Sequence, residues 1–353
     1  MMFKHSLLLS LLPRVFSAIP PLITLEDHYL SDVIPVSEYH ADFFAYQPAA
    51  VPALREWDAV RLASMDRGNV SIQVISHAPD IGLYPPKYAV AANDQLAAIV
   101  ATHPTRYRGF AALPLAPHYA RAAAEELRRC VNEHGFLGAL IDNHYNGSHF
   151  DSPAYDHIWA AAQELNVPIY IHPTWPSPEM LERYGGPLLS ELARLELSTA
   201  LWGWHSDVGL HALKLFAAGV FERFPRLQII IGHFGEMIPY MLERDENISS
   251  RPTYRFGNGT RSWREVWNEN FWVTTSGIWS QSPMATLLRT TKIDRILFSV
   301  DYPFASNEAG LMFMEDLEAS GQVDEEDLWK IGRANAEGLL GIKPISPTIL
   351  RMQ

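Results

Sequence analysis

Short apolar runs that stop abruptly on a histidine or an acid recur along this chain, and that recurrence constrains its fold more than any other feature. The clearest is Arg295–Phe304: Ile296, Leu297, Phe298 and Val300 are β-prone with no charge among them, and Pro303 removes a backbone donor. The reading is a buried strand that delivers Asp301 to its end. A carboxylate there needs a cation or donors to face, which leaves a metal ligand, a catalytic acid or a cap for the next helix. Val167–Pro173 ends on His172 and Leu227–His233 on His233. Ile23–His28 ends on Glu26 and His28, two residues apart and therefore on one side of a strand.

Strand patterns at 71–76, 107–113, 135–141 and 271–275 complete a set of eight. Helical patterns lie between them, at 51–65, 88–102, 119–133, 154–165, two within 188–224, and 237–247, with a last helix at 325–340. Alternation of this kind predicts a parallel sheet, and eight units predict a closed (β/α)8 TIM barrel with its chemistry at the C-terminal strand ends. The 353 residues, 48% hydrophobic and 19% charged, suit one large core. The expected organisation is an N-terminal extension over 1–20, one catalytic barrel over 21–342 and a tail over 343–353. An aromatic-rich loop over 30–50, with Tyr39, Phe43, Phe44 and Tyr46, is placed to cover a site.

A net charge of −12 without a basic stripe argues against nucleic acid and anionic membrane as partners. Cys130 is the only cysteine, so internal disulfides are excluded, and its helical setting marks a structural thiol. Lys4 and His5 before Leu7–Leu12, with Ser17 and Ala18 following, outline a secretory signal, but Pro13 and Arg14 cut the run short. The expectation is a cytoplasmic protein. The Asn-x-Ser/Thr tripeptides at Asn69, Asn146, Asn247 and Asn258 are of a kind that arises by chance.

Imidazoles and carboxylates converging on one barrel mouth make a mixed nitrogen and oxygen site suited to zinc or another divalent first-row metal. A binuclear hydrolase barrel usually carries His-x-His on strand one and a lysine on strand four; here strand one carries Glu26 and His28 and strand four ends on Asp142. One ion is expected, held by Glu26, His28, His172 and Asp301. In His233-Phe234-Gly235-Glu236 the acid either holds the imidazole and raises its basicity or caps the following helix.

Glu26-Asp27-His28, Ile171-His172-Pro173, Gly232-His233-Phe234-Gly235-Glu236, Thr274-Thr275-Ser276-Gly277 and Phe298-Ser299-Val300-Asp301-Tyr302-Pro303 resemble the motifs of the metal-dependent decarboxylase branch of the amidohydrolase superfamily. The γ-resorcylate, 2,3-dihydroxybenzoate and salicylate decarboxylases are nearest in pattern, and the similarity runs from about Ile23 to Ile342. The resemblance implies one manganese, magnesium or zinc ion per subunit, a homodimer or homotetramer, and loss of CO2 from a small ortho-hydroxybenzoate after protonation of the ring carbon. It makes Asp301 both ligand and proton donor, with His233 and its partner Glu236 as the other proton source. It also places Arg244, eleven residues beyond His233, in the active site of the adjacent subunit. Asp27 departs from the branch, which often has Glu there, and the N-terminal extension has no counterpart. The rival expectations are a metal-dependent hydrolase of a cyclic ester or amide and a non-catalytic binding barrel.

Overall fold

Eight strands follow one another in chain order: β1 (Leu22–Tyr29), β2 (Val70–His77), β3 (Tyr107–Gly109), β4 (Ala139–Asp142), β5 (Ile169–His172), β6 (Ile229–Ile231), β7 (Phe271–Thr274) and β8 (Ile296–Leu297). The computed structural model describes residues 19–38, 48–251 and 259–344. The N-terminal segment through Ala18, the aromatic residues Tyr39, Phe43, Phe44 and Tyr46, Asn258 and the end of the tail lie outside the described residues. β1 to β3 form one parallel ladder and β4 to β8 another. Parallel bridges Ala111↔Ala139 and Asp27↔Tyr302 join the two at both seams, so the sheet closes on itself.

Side chains alternate across the wall of this barrel. Ile169, Ile171, Ile229 and Ile231 cluster with helix residues such as Trp159 and Leu215, whereas Tyr170 and Ile230 cluster with Ile23, Leu25, Val74, Phe110, Leu140 and Leu297. The second cluster continues into Ala336, Leu340 and Ile342. Those residues belong to or follow the last helix, which packs against the strand starts: Arg333 Nη1 donates to the Pro21 carbonyl at 2.7 Å. The opposite, C-terminal mouth is left for a site.

β1 breaks the alternation, and the break matters. Its pairing with β2 slips between Thr24 and Asp27, a β-bulge. Ile23 and Leu25 lie in the interior cluster, yet Glu26 also turns inward, where Tyr170 and Thr274 donate to its Oε2. The bulge shifts the phase of the strand, so apolar residues fill the barrel first and polar ones then line its mouth. The main-chain N–H groups of Leu25 and Glu26 both donate to the Ser299 hydroxyl, at 2.9 and 2.8 Å.

β8 gives the first correction to the sequence reading. It pairs with β7 only over Ile296–Leu297 and does not reach Asp301: beyond it the Ser299 N–H donates to the Thr275 hydroxyl at 3.2 Å, and main-chain bonding to β1 resumes where the Asp301 N–H donates to the Glu26 carbonyl at 2.7 Å. Asp301 itself is left-handed, with φ 72°. β3 and β4 are likewise shorter than expected. The helix expected over 51–65 is two, Ala50–Leu54 and Ala59–Arg67, because the Glu56 carboxylate accepts from the N–H groups of Asp58, Val60 and Arg61 and so starts a new helix. Residues 188–224 form three helices, Glu191–Ser198, Gly203–Ala217 and Val220–Arg223.

Ser299→Ala leaves two buried N–H groups without an acceptor. A loss of about 1–3 kcal/mol per group follows from the desolvation penalty, read as a lower urea midpoint with unchanged slope. An unchanged midpoint would mean the bulge is held by something else.

Candidate active site

Glu26, His28, His172 and Asp301 come from β1, β5 and the segment after β8, and their ligand atoms all lie within 4.8 Å of one another. His172 Nε2 stands 3.1 Å from Glu26 Oε1, and His28 Nε2 stands 3.2 Å from Asp301 Oδ1. Two of the inward atoms are turned to the centre by a bond on the far side of their group. His172 Nδ1 donates to the Pro173 carbonyl at 2.7 Å, and the Tyr170 hydroxyl donates to Glu26 Oε2. Glu26 Oε1, His28 Nε2 and Asp301 Oδ1 are buried without a hydrogen bond among the described residues. Buried polar atoms that converge without partners are what a cation centre requires. The donor set, two imidazoles and two carboxylates, fits a divalent ion of the manganese, zinc or magnesium class.

Without an ion, burial and the neighbouring charges act on these groups in opposite directions. Burial pushes the Glu26 carboxyl up, but the charge on His233 and the His172 imidazole reverse this and hold it well below its ordinary range. Burial lowers His28, whereas the Glu26 carboxylate outweighs burial at His172 and raises it.

His233 sits two residues beyond β6, in a turn that sequence periodicity gives no sign of. His233, Phe234, Gly235, Glu236 and Met237 all have positive φ, a left-handed turn. Each of the four non-glycine residues there is strained by roughly 1–2 kcal/mol. The turn is tied by Phe234 N–H to the Thr274 carbonyl at 2.9 Å and by Gly235 N–H to the Gly232 carbonyl at 2.7 Å. It brings Glu236 Oε1 within 2.7 Å of His233 Nδ1, which must donate to it. Glu236 is fully buried; burial raises its pKa, but His233 and His205 bring it down to about 2. The two sequence readings of Glu236 therefore separate, for it holds the imidazole and lies just before the helix Ile238–Ser249.

A cavity of about 470 Å³ opens beside these groups, with His172, His233 and Asp301 on its polar side and Leu54, Leu195, Trp204, Ile278 and Phe304 on its apolar side. A Cβ on Gly277 would lie 3.1 Å from His233 Cδ2 and 3.7 Å from Asp301 Oδ2, so both groups border the same small space beside this residue, whose φ of 68° favours glycine. Asp142 does not join the cluster. Its carboxylate accepts from Asp80 and Gly82 N–H groups at 2.5 and 3.1 Å. Arg244 is exposed on the helix Ile238–Ser249 and is not among the residues that line the cavity.

Four supporting residues escaped the sequence reading. Ser299 and Tyr170 gave no signal beyond strand pattern. Arg61, fully buried, donates to the His28 carbonyl at 2.6 Å and covers the Tyr302 ring at 4.7 Å, tying together the chain segments that carry His28 and Asp301. His205 lies in the cavity wall and donates from Nδ1 to Glu236 Oε2 at 2.7 Å.

The pair His233 and Glu236 sets a pH dependence. Glu236 is lowered from 4.5 to about 2, so its contribution to stability is full above pH 4.5 and lost as pH falls toward 2. At His233 burial acts downward, but Glu236 and Glu26 raise the ring from 6.5 to about 10, so its contribution is full below pH 6.5 and lost as pH rises through 10. The stability gap between wild type and Glu236→Gln, measured on metal-free protein, should be widest between pH 4.5 and 6.5 and close on both sides. A gap independent of pH would contradict the pairing.

Comparison with known proteins agrees with this geometry. A family model described as amidohydrolase matches residues 60–342. Decarboxylase orsB of Emericella nidulans is 50% identical over 327 residues, 92% of this chain and 98% of that protein. A gamma-resorcylate decarboxylase of Rhodococcus jostii is 36% identical over 300 residues, 79% of this chain and 86% of its own. The crystal structure of a dihydroxybenzoic acid decarboxylase from Polaromonas, with bound manganese and the inhibitor 2-nitroresorcinol, matches with a TM-score of 0.81 at 31% identity, covering 93% of this chain and 98% of that one. By sequence, fold and site, the chain belongs to the amidohydrolase superfamily, in its branch of metal-dependent decarboxylases.

Proposed function

We propose that this chain is a metal-dependent carboxy-lyase that removes CO2 non-oxidatively from a small ortho-hydroxybenzoate, through one barrel spanning residues 21–342. The observation that carries the reading is the convergence of unpartnered Glu26 Oε1, His28 Nε2 and Asp301 Oδ1 beside a largely apolar cavity that also admits His233. Direct loss of CO2 from an arene would leave charge in an orbital the ring cannot delocalise. The ring carbon therefore takes a proton first, and aromaticity returns as the C–C bond breaks. Net, one carboxylate and one proton become one C–H bond and CO2.

A divalent ion held by Glu26, His28, His172 and Asp301 would chelate carboxylate and ortho oxygen, fixing the ring and neutralising its charge. The proton comes from the chain. His233 spends Nδ1 on Glu236, which leaves Nε2 toward the ring, and Asp301 Oδ2 borders the same space. The apolar wall suits the ring face and keeps water from the developing charge.

The same reading makes the enzyme a homodimer or homotetramer whose sites are completed in trans by Arg244. It is supported by exposure: Arg244 shares a helix face with Tyr240, which is 84% exposed, and Leu201 at the cavity rim is 65% exposed. A guanidinium fork suits a ring-borne carboxylate better than an ammonium does.

Metal analysis followed by incubation with ortho-hydroxybenzoates, lactones and cyclic amides tests the reaction. CO2 release from the benzoates is expected; ring opening without CO2 would establish the hydrolase instead. Asp301→Asn should cost at least ~4 kcal/mol in the barrier, a thousandfold or more, and His172→Ala should lose metal first. Mixing Arg244→Ala with Asp301→Asn subunits under exchange should restore activity in hybrids. No recovery despite proven exchange would place Arg244 in its own subunit's service or none.

A further inference from the structure

The helix Gly203–Ala217 meets the strained turn of His233 to Met237 at a position only glycine permits. A Cβ on Gly209 would lie 2.6 Å from the Glu236 main-chain oxygen. Four residues earlier, on the same face of the helix, stands His205. Its Nδ1 donates to Glu236 Oε2 at 2.7 Å and its Nε2 lies 3.0 Å from the Ala200 carbonyl oxygen. A second pair at the same spacing, Asp207 and His211, anchors the helix. Asp207 Oδ2 accepts from Asn143 Nδ2 at 2.7 Å and His149 Nε2 at 3.1 Å, and His211 Nδ1 donates to Asn143 Oδ1 at 2.9 Å while its Nε2 accepts from Phe150 N–H at 3.2 Å. The segment after β4 thus fixes the helix, and the helix fixes Glu236.

We infer that His205 is a positioning residue for the decarboxylation: a second imidazole that locks the Glu236 carboxylate so that Oε1 faces His233 Nδ1 and His233 Nε2 faces the ring. The inference rests on the function proposed above. A carboxylate bonded through one oxygen can swing about its side-chain torsions; bonded through both, it has one orientation. The competing use of His205, His233 and Glu236 is a second metal centre, since their ligand atoms also lie within 4.8 Å. Both nitrogens, however, stand 2.7 Å from a carboxylate oxygen, a hydrogen-bond distance with a proton between. An ion would need legs of about 2.0–2.1 Å to each nitrogen and would displace those protons.

His205→Leu and His205→Asn, the second of which keeps a donor near the Nδ1 position, separate positioning from packing. In the metal-loaded enzyme the leucine variant should lose roughly 10–100-fold in kcat with KM and metal content unchanged, and the asparagine variant should regain most of it. In metal-free protein, the NMR signal of the His233 Nδ1 proton should shift in His205→Leu and return toward wild type in His205→Asn. A leucine variant with wild-type kcat and an unmoved His233 signal would overturn the role, as would an asparagine variant no better than leucine, or loss of a second metal ion from the leucine variant. The NMR readout needs no turnover, so it still decides the role of His205 if wild-type protein releases no CO2, a result that would count against decarboxylation alone.

Discussion

A carboxylate with no access to water, Glu26, is the constraint on which the rest of this structure depends. Moving such a charge out of water is expensive unless donors and cations meet it at once. Tyr170 and Thr274 bond one oxygen, and His172 and His233 crowd the other at 3.1 and 3.6 Å. Space for this arrangement is made by Gly232, where a Cβ would lie 2.9 Å from Glu26 Oε2. The bulge in β1 turns Glu26 inward, and Ser299 makes the bulge tenable by accepting both displaced N–H groups. Fold and site are therefore one problem: the bulge in β1 that Ser299 holds is the irregularity that presents Glu26 and His28 to Asp301.

Much of this was legible in the sequence, for identifiable reasons. Apolar runs ending on Glu26, His28, His172 and Asp301 carry the barrel and the gathering of those four residues, because strand periodicity and the chemistry of strand ends are local signals. What was not legible depends on non-local pairing. Glu26 turns inward next to inward-facing Leu25, a phase that regular alternation forbids and that only the slip against β2 explains. The left-handed turn of His233 to Met237 has one glycine in five residues and defies local preference; its hydrogen bonds to Thr274 and Gly232, and the helix packed on it, hold it. His205 sits in a helix whose pattern reads as ordinary packing, and its partner lies thirty-one residues away.

The layout also explains how one mouth hosts two opposed demands. The ion centre needs charge, and proton delivery to a ring carbon needs a dry, apolar wall. The chain separates them by origin: charged groups come from strand ends, and Leu195, Trp204 and Ile278 come from the connections that follow. Glu236 then lets His233 belong to both, paired to a buried carboxylate on one side and open to the cavity on the other.

Anomalous-scattering crystallography of the protein loaded with manganese tests the central claim most directly, because it locates the ion without assuming a reaction. One peak per subunit is expected, within bonding distance of Glu26, His28, His172 and Asp301 and clear of the Glu236 carboxylate. No peak at those four residues, or a peak between His205 and Glu236, would contradict the account.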